Sequence, residues 1–286
     1  MTDLRRSEAP PASRKPRRVL VVGGTGRLGV AVARALAYRG DSVTLTARDS
    51  AKLDAVLAEI SSFGAGVHRQ IAVDLHDRDA PERIRDQVRT QGGIDDVVLA
   101  CGPFPRTPFE TLRREELDSA LAVHAVAPLL LVSQLADELR ASSGAVVGFI
   151  DAGVDRPYPN HVAYLTAKGA QQAGLRALAV ELAPHVRVNT LALGIVADPE
   201  ADGDPLRTHR LQARSLLGRF GTSTEVVHAA LALLDATWAT GETWAIGRLR
   251  PGIFAELDVR VLDVASATPA RDERRPRRNF PDYATL

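Results

Sequence analysis

The 286-residue chain carries 36 lysines and arginines against 35 aspartates and glutamates, and 45% of its residues are hydrophobic. That length allows one large α/β domain or two small ones, and the near-neutral balance gives no general attraction to nucleic acid or acidic membranes. A single cysteine, Cys101, excludes an internal disulfide framework and a cysteine-based zinc site, as suits a reducing cytosol, and no metal site is expected.

In chain order, residues 1–16 are rich in Pro, Arg and Ser and read as a disordered arm. Their arginines have no apolar stretch behind them, so they do not form a secretory signal. From Arg17 onward, short β-branched runs alternate with Ala/Leu-rich helical patterns. The expected strands cover 19–22, 43–46, 67–73, 97–100, 146–150, 186–191 and 243–246, with helical segments that include 28–39, 51–61, 117–140 and 162–183. The uncharged run from Ala120 to Ala136 contains His124, Pro128, Ser133 and Gln134 and reads as a buried helix, too short to span a bilayer comfortably. Apolar strands separated by helices imply right-handed crossovers and an α/β Rossmann-type doubly wound parallel sheet of about seven strands in a single domain, 17–254. Residues 198–219, charged and punctuated by prolines, are expected to form a mobile substrate lid. After Phe254 the rhythm stops, and 255–286 reads as a tail with a short strand candidate at 259–264 and a loose arginine-rich end.

The segment Val19-Leu-Val-Val-Gly-Gly-Thr-Gly-Arg-Leu-Gly29 puts glycines between the first strand and the first helix. Glycine lets the backbone turn tightly and approach a pyrophosphate, and the helix N-terminus offers free N–H groups to the anion. Such clusters also serve as plain strand–helix turns. Thr46-Ala-Arg-Asp49 ends the second strand with Arg48, where enzymes preferring NAD place an acidic residue for the ribose 2′-hydroxyl. A guanidinium there can grip a 2′-phosphate, and Arg27 in the glycine loop adds a second charge, so the pair favours NADPH. Asp74, closing the third strand, suits either the adenine amino group or a helix N-cap.

Tyr164-Leu-Thr-Ala-Lys168 lies in a helical stretch, so the phenol and the ammonium share one face. An ammonium stabilises a phenolate and is expected to lower the tyrosine pKa, giving an acid/base that protonates an atom receiving electrons.

Taken together, these pieces resemble the short-chain dehydrogenase/reductase family over nearly the whole stretch from Arg17 to Gly252. The matching segments are the glycine loop, Val-Asp-Leu75, Tyr164-x-x-x-Lys168, Glu181-Leu-Ala-Pro184, Arg187-Val-Asn189 and Thr240-Gly-Glu242. The resemblance implies cofactor contacts from Gly23, Arg27, Leu28, Gly29, Arg48, Asp74, Leu75, Ala100, Gly102, Tyr164, Lys168 and Gly194. Within the family the chain is most similar to pteridine reductases, which reduce pterins and folates with NADPH. Arg27 stands where most relatives have glycine, and Cys101-Gly-Pro-Phe-Pro-Arg-Thr-Pro-Phe109 is similar to a pteridine-reductase segment, by which Phe104 would cover the face of a pterin. Asp151 stands thirteen residues before Tyr164, where ordinary members carry a catalytic serine. An aspartate beside a tyrosine can relay a proton to a ring nitrogen during C=N reduction, although as an anion it raises the tyrosine pKa, which Lys168 would have to offset. The alternative is that Asp151 forms the turn in Asp-Ala-Gly, a role aspartate fills well.

Several positions depart from the family pattern: Val22, Leu99-Ala-Cys-Gly102, His124 in place of a relay asparagine, Leu193-Gly194 and Gly247-Arg-Leu. His124 is either a relay member or a hydrogen-bonded core residue. Three functions compete: an NADPH-dependent reductase of pterin-like or other planar C=N substrates, a ketone/alcohol oxidoreductase of secondary metabolism, and a catalytically impaired NADP-binding module. Intact Tyr164 and Lys168 argue against the third. The expected setting is cytoplasmic, with a small-molecule substrate, no nucleic-acid or membrane partner, and a homo-oligomer (tetramer or dimer).

Overall fold

Seven strands lie side by side and parallel in a computed structural model that describes residues 15–63, 66–196 and 205–247. The strands are β1 (Arg18–Val22), β2 (Ser42–Ala47), β3 (Arg69–Ala72), β4 (Asp96–Leu99), β5 (Ala145–Asp151), β6 (Arg187–Leu193) and β7 (Thr243–Ile246). Their order across the sheet is β3-β2-β1-β4-β5-β6-β7, the doubly wound arrangement expected from the alternation of strands and helices. The arm over residues 1–14, the first part of the expected lid at 198–204, and the tail with its strand candidate at 259–264 lie outside the described residues.

The helices are α1 (Arg27–Tyr38), α2 (Ser50–Ile60), α3 (Ala80–Thr90), α4 (Arg114–Leu121), α5 (Ala127–Gln134), α6 (Ala136–Ala141), α7 (Val162–Leu182), α8 (Pro205–Arg214) and α9 (Ser223–Asp235). One face of the sheet buries Ile84 and Val88 of α3, Leu131 of α5, Leu139 of α6 and Leu175 and Leu182 of α7. The other buries Val32 and Leu36 of α1, Leu53 and Ile60 of α2, and Val226, Ala230 and Leu233 of α9. With both faces covered, β1 is apolar over Val19–Val22, and β4 over its last three residues, Val97 to Leu99.

The long helix expected over 117–140 is interrupted. Between α4 and α5, Ala122–Val126 adopts a wider π-helical turn, in which Ala127 N–H donates to Ala122 O. Pro128 has no N–H to give the carbonyl four residues back, that of His124, and the looser turn relieves this mismatch. The stretch Arg114–Gln134 is long and apolar enough for a bilayer by length and composition alone, but Val123, Ala127, Leu131 and Val132 are buried against the rest of the protein.

Two motifs shared with the resembled family are structural here. The Arg187 guanidinium donates to the carbonyls of Leu233, Leu234 and Ala236 at the end of α9. The buried Asn189 amide bonds Ala239 O and Glu242 N, fixing the turn that leads into β7.

Candidate active site

The order of the sheet reverses at β1, which pairs β2 on one side and β4 on the other, with Val22 opposite Leu99. A crevice opens above the carboxyl ends of the strands at such a point. Gly23 leaves β1 there with φ +87°, and a Cβ on it would sit 2.7 Å from Ala100 O, so the loop fits its neighbour only without a side chain. Gly29 lies one turn into α1 directly against the Gly23 carbonyl, with no room for a side chain. The N-cap of α1, Gly26, makes no side-chain cap bond, and the first turn holds no acidic residue. The cradle therefore presents unclaimed N–H groups without competing negative charge, which fits a pyrophosphate. Leu28 packs on the α1 side of the core, Leu75 on the opposite side, and Ala100 beneath the loop.

At the end of β2, Arg48 is exposed, and Asp49 turns away to cap α2, accepting from Lys52 N at 3.1 Å. Arg27 donates to Val196 O, tying the glycine loop to the segment after β6. Asp74 caps no helix, since α3 begins at Ala80 with Asp79 at its N-cap. Instead its Oδ1 accepts from the backbone N–H of His76 at 3.0 Å and faces His76 Nδ1 at 2.9 Å, which corrects the N-cap alternative. His76 Nε2 lies 2.9 Å from Ser119 Oγ. Gly194, after β6, packs against the backbone of Gly247, where a side chain would collide.

Deeper in the crevice, α7 places Tyr164 in its first turn and Lys168 one turn further, both buried. Asp151, at the end of β5, accepts from Gly153 N at 2.6 Å through Oδ1, and from the hydroxyls of Tyr158 at 3.0 Å and Tyr164 at 3.2 Å through Oδ2. Asp151 therefore forms the turn and also accepts from the tyrosine hydroxyl. Burial first, then the Asp151 charge and hydrogen bond, push both phenols well above the ordinary tyrosine range. The expectation that Lys168 would lower the Tyr164 pKa does not hold. Lys168 Nζ instead donates to Phe149 O at 2.7 Å and Gln171 Oε1 at 3.0 Å. Burial draws its own pKa down to about 8, against the opposing pull of Cys101 and Asp151.

The loop from Cys101 to Phe109 covers this group. Thr107 N–H donates to Asn160 O at 2.7 Å, and Thr107 pairs with His161, fastening the loop to the segment that enters α7. Phe104 thereby stacks on His161 with ring centroids 4.4 Å apart and stands edge-on to Tyr164 at 4.8 Å. His124 lies beneath, edge-on to Tyr164 at 5.2 Å, with Nε2 3.0 Å from Pro103 O. A carbonyl only accepts, so Nε2 carries the proton. Burial, then the Lys168 charge, hold the imidazole neutral with a pKa of about 3. Gly102, with φ +108°, leaves the space that the His124 ring fills.

Tyr158, His161 and Gln171 were absent from the sequence-based site. Only the nearness of Tyr158 to Asp151 in the chain hinted at it, since no motif contains these three residues. The assembled group can hold a proton on two phenols, share it with a carboxylate and exclude water beneath an aromatic cover.

A family model described as Enoyl-(Acyl carrier protein) reductase matches residues 25–247. The chain is 31% identical over 236 residues to L-xylulose reductase of Bos taurus, covering 79% of this chain and 93% of that protein. The structure of a 3-oxoacyl (acyl-carrier-protein) reductase from Agrobacterium tumefaciens with NADP bound is similar at a TM-score of 0.75 and 28% identity, covering 80% of this chain and 92% of that one. L-sorbose reductase from Gluconobacter frateurii, complexed with NADPH and L-sorbose, shares the fold at a TM-score of 0.76 and 20% identity, covering 82% and 97%.

Proposed function

The chain belongs to the short-chain dehydrogenase/reductase family, and from that premise we propose that it is an NADP(H)-dependent reductase of a planar C=N compound of the pterin or folate type. The observation that carries this reading is the contact between Asp151 Oδ2 and the Tyr164 hydroxyl. The exposed Phe104 ring, fixed over Tyr164, supports it as a flat surface for a flat substrate. The reduced nicotinamide, when bound, supplies the hydride. Gly23, Gly29 and the α1 N-terminus would take its pyrophosphate, Arg48 the 2′-phosphate, and Lys168 the ribose beside the nicotinamide. Tyr164 would deliver a proton to the substrate nitrogen, and Asp151 would hold that proton's path by accepting from the phenol. Asp49 capping α2, rather than facing Arg48, supports NADP(H) over NAD(H).

A second reading, reduction of a sugar or other ketone, is favoured by the similarity to L-xylulose reductase. NADPH oxidation measured against dihydropterins, folates, cyclic imines, ketoses and small ketones separates the two. Activity on ketoses with none on any C=N compound would overturn the first reading. The protein is further proposed to act in the cytoplasm as a dimer or tetramer. Val126 and Leu130, exposed beside α5, and Val180, exposed on α7, would meet a second copy, and light scattering that finds a monomer at micromolar concentration would contradict this.

A further inference from the structure

Asp74, His76 and Ser119 lie along one line of hydrogen bonds in which Tyr164, Lys168 and Asp151 take no part. Asp74 Oδ1 accepts from the backbone N–H of His76 at 3.0 Å and faces His76 Nδ1 at 2.9 Å, so the loop after β3 fixes the imidazole at one end. His76 Nε2 meets Ser119 Oγ at 2.9 Å, a side chain that α4 brings in from 43 residues further along the chain. The His76 backbone N–H, against partial burial, holds the Asp74 carboxyl below the ordinary carboxylate range, so it is ionised at neutral pH. A carboxylate only accepts, so His76 Nδ1 carries the ring proton. Nε2 of the neutral ring is then an acceptor, and the Ser119 hydroxyl donates to it.

A hydroxyl, a base within its reach and a carboxylate that orients the base together make an activated nucleophile, recognised by geometry rather than by order in the chain. The group is open to reagents: the His76 and Asp74 side chains are 40% and 37% exposed, and Ser119 is exposed. Ser119 lies past the first turn of α4, where its own N–H is spent within the helix and cannot serve a developing oxyanion. The group therefore suits only acyl compounds that arrive already activated.

We infer that Ser119 is an acyl-accepting nucleophile for activated esters and thioesters, with His76 as its base and Asp74 orienting the imidazole. As Oγ bonds the acyl carbon, His76 Nε2 takes the hydroxyl proton. The alkoxide or thiolate then leaves with its electron pair and receives that proton from His76. An alcohol or thiol is released, the acyl group stays on Ser119 as an ester, and nothing is oxidised or reduced. This step does not depend on the C=N reading.

The probe is 4-nitrophenyl acetate, given to the full chain without nicotinamide cofactor, with each acetyl group located by peptide-mapping mass spectrometry. Ser119 should be acetylated at least about tenfold faster than the exposed Ser62, whose hydroxyl donates to Glu59 O instead of to an imidazole. A positioned general base contributes about 100-fold or more in a closed site, and an open one keeps part of that. His76→Gln, which can still hydrogen-bond Ser119 but cannot act as its base, should bring Ser119 down to the rate of Ser62. Ser119→Ala should remove the fast phase of 4-nitrophenolate release. Both side chains lie at the surface, so both variants should keep the wild-type Tm. Equal acetylation of Ser119 and Ser62 in the wild type, a Ser119 advantage that survives His76→Gln, or a fast phase that survives Ser119→Ala would each overturn the inference. In the last case His76 itself, or another group, is the nucleophile.

Discussion

The Tyr164 hydroxyl donates to Asp151 Oδ2 at 3.2 Å, so the phenol proton points at a carboxylate. Burial and that negative charge raise the phenol pKa, while Lys168, one turn along α7, spends its ammonium on Phe149 O and Gln171. Tyr164 is thus held as a proton donor across the neutral range rather than as an incipient phenolate. A donor in this state suits an acceptor more basic than a ketone oxygen.

Replacing Tyr164 with phenylalanine should leave NADPH affinity within about twofold and lower kcat by about 100-fold or more, the usual scale for losing a positioned acid. The hydroxyl acts when charge develops in the transition state, so its loss belongs in kcat rather than in binding. Cofactor titration beside steady-state rates checks both halves. Undiminished turnover would remove Tyr164 from the chemistry.

Lys168 gives stability a pH dependence of known sign. Its folded pKa, about 8, lies below the ordinary lysine value of 10.5, so between those limits the unfolded chain binds the extra proton. Stability then rises with pH across that window, because the buried site is relieved of its charge while the unfolded chain still carries one. Below pH 8 both states are protonated, and the full cost of burying the ammonium is present. The Tm of the wild type relative to Lys168→Met should therefore climb between pH 8 and 10. A flat difference would show that the ammonium is better solvated than its burial implies.

Much of the fold was legible because its signal is local. β1, β4 and β5 carry buried, mainly aliphatic runs, β2 and β6 mix β-branched and aliphatic residues, and α7 extends over the Ala/Leu-rich stretch expected of it. The π-helical turn at Ala122–Val126 was not read, since it arises from one missing N–H at Pro128 inside an otherwise regular pattern. At the site, Tyr164 and Lys168 were visible by spacing, and Asp151 through the family resemblance. The destination of the Lys168 ammonium was not, because it depends on a backbone carbonyl of β5 and on the Gln171 rotamer. Tyr158 and His161 come from a loop without periodicity, and only the pairing of Thr107 with His161 brings them under Phe104.

Gly102 and His124 should be energetically coupled. Alanine at 102 would meet the His124 ring and would also have to hold φ +108°. Strain and overpacking together should cost about 2–5 kcal/mol in chemical denaturation. His124→Ala opens the space and relieves the steric share only, so the double variant should be less destabilised than the sum of the singles by about 1–3 kcal/mol. Strict additivity would mean that the loop moves aside and that His124 does not set its position.

The last expectation concerns cofactor choice. NADPH should be preferred over NADH by at least about tenfold in kcat/KM, since a hydrogen bond to a charged group contributes about 1.5–3 kcal/mol, a factor of about 10 to 150. Arg48 is exposed at the end of β2, free to close on a 2′-phosphate. The neighbouring carboxylate of Asp49, which would repel that phosphate, accepts from Lys52 N at 3.1 Å and lies 3.6 Å from Lys52 Nζ, so its charge is partly offset on α2. The bond from Lys52 N holds the Asp49 carboxyl below the ordinary carboxylate range and turned aside. Arg27, by contrast, is engaged with Val196 O, so its replacement should weaken both cofactors more evenly than that of Arg48. Arg48→Asp should abolish or invert the preference, because it exchanges an attractive partner of the phosphate for a repulsive one. Asp49→Asn should leave the preference and the stability nearly unchanged, since asparagine caps a helix about as well as aspartate. Equal use of the two cofactors by the wild type would place the 2′-phosphate away from Arg48.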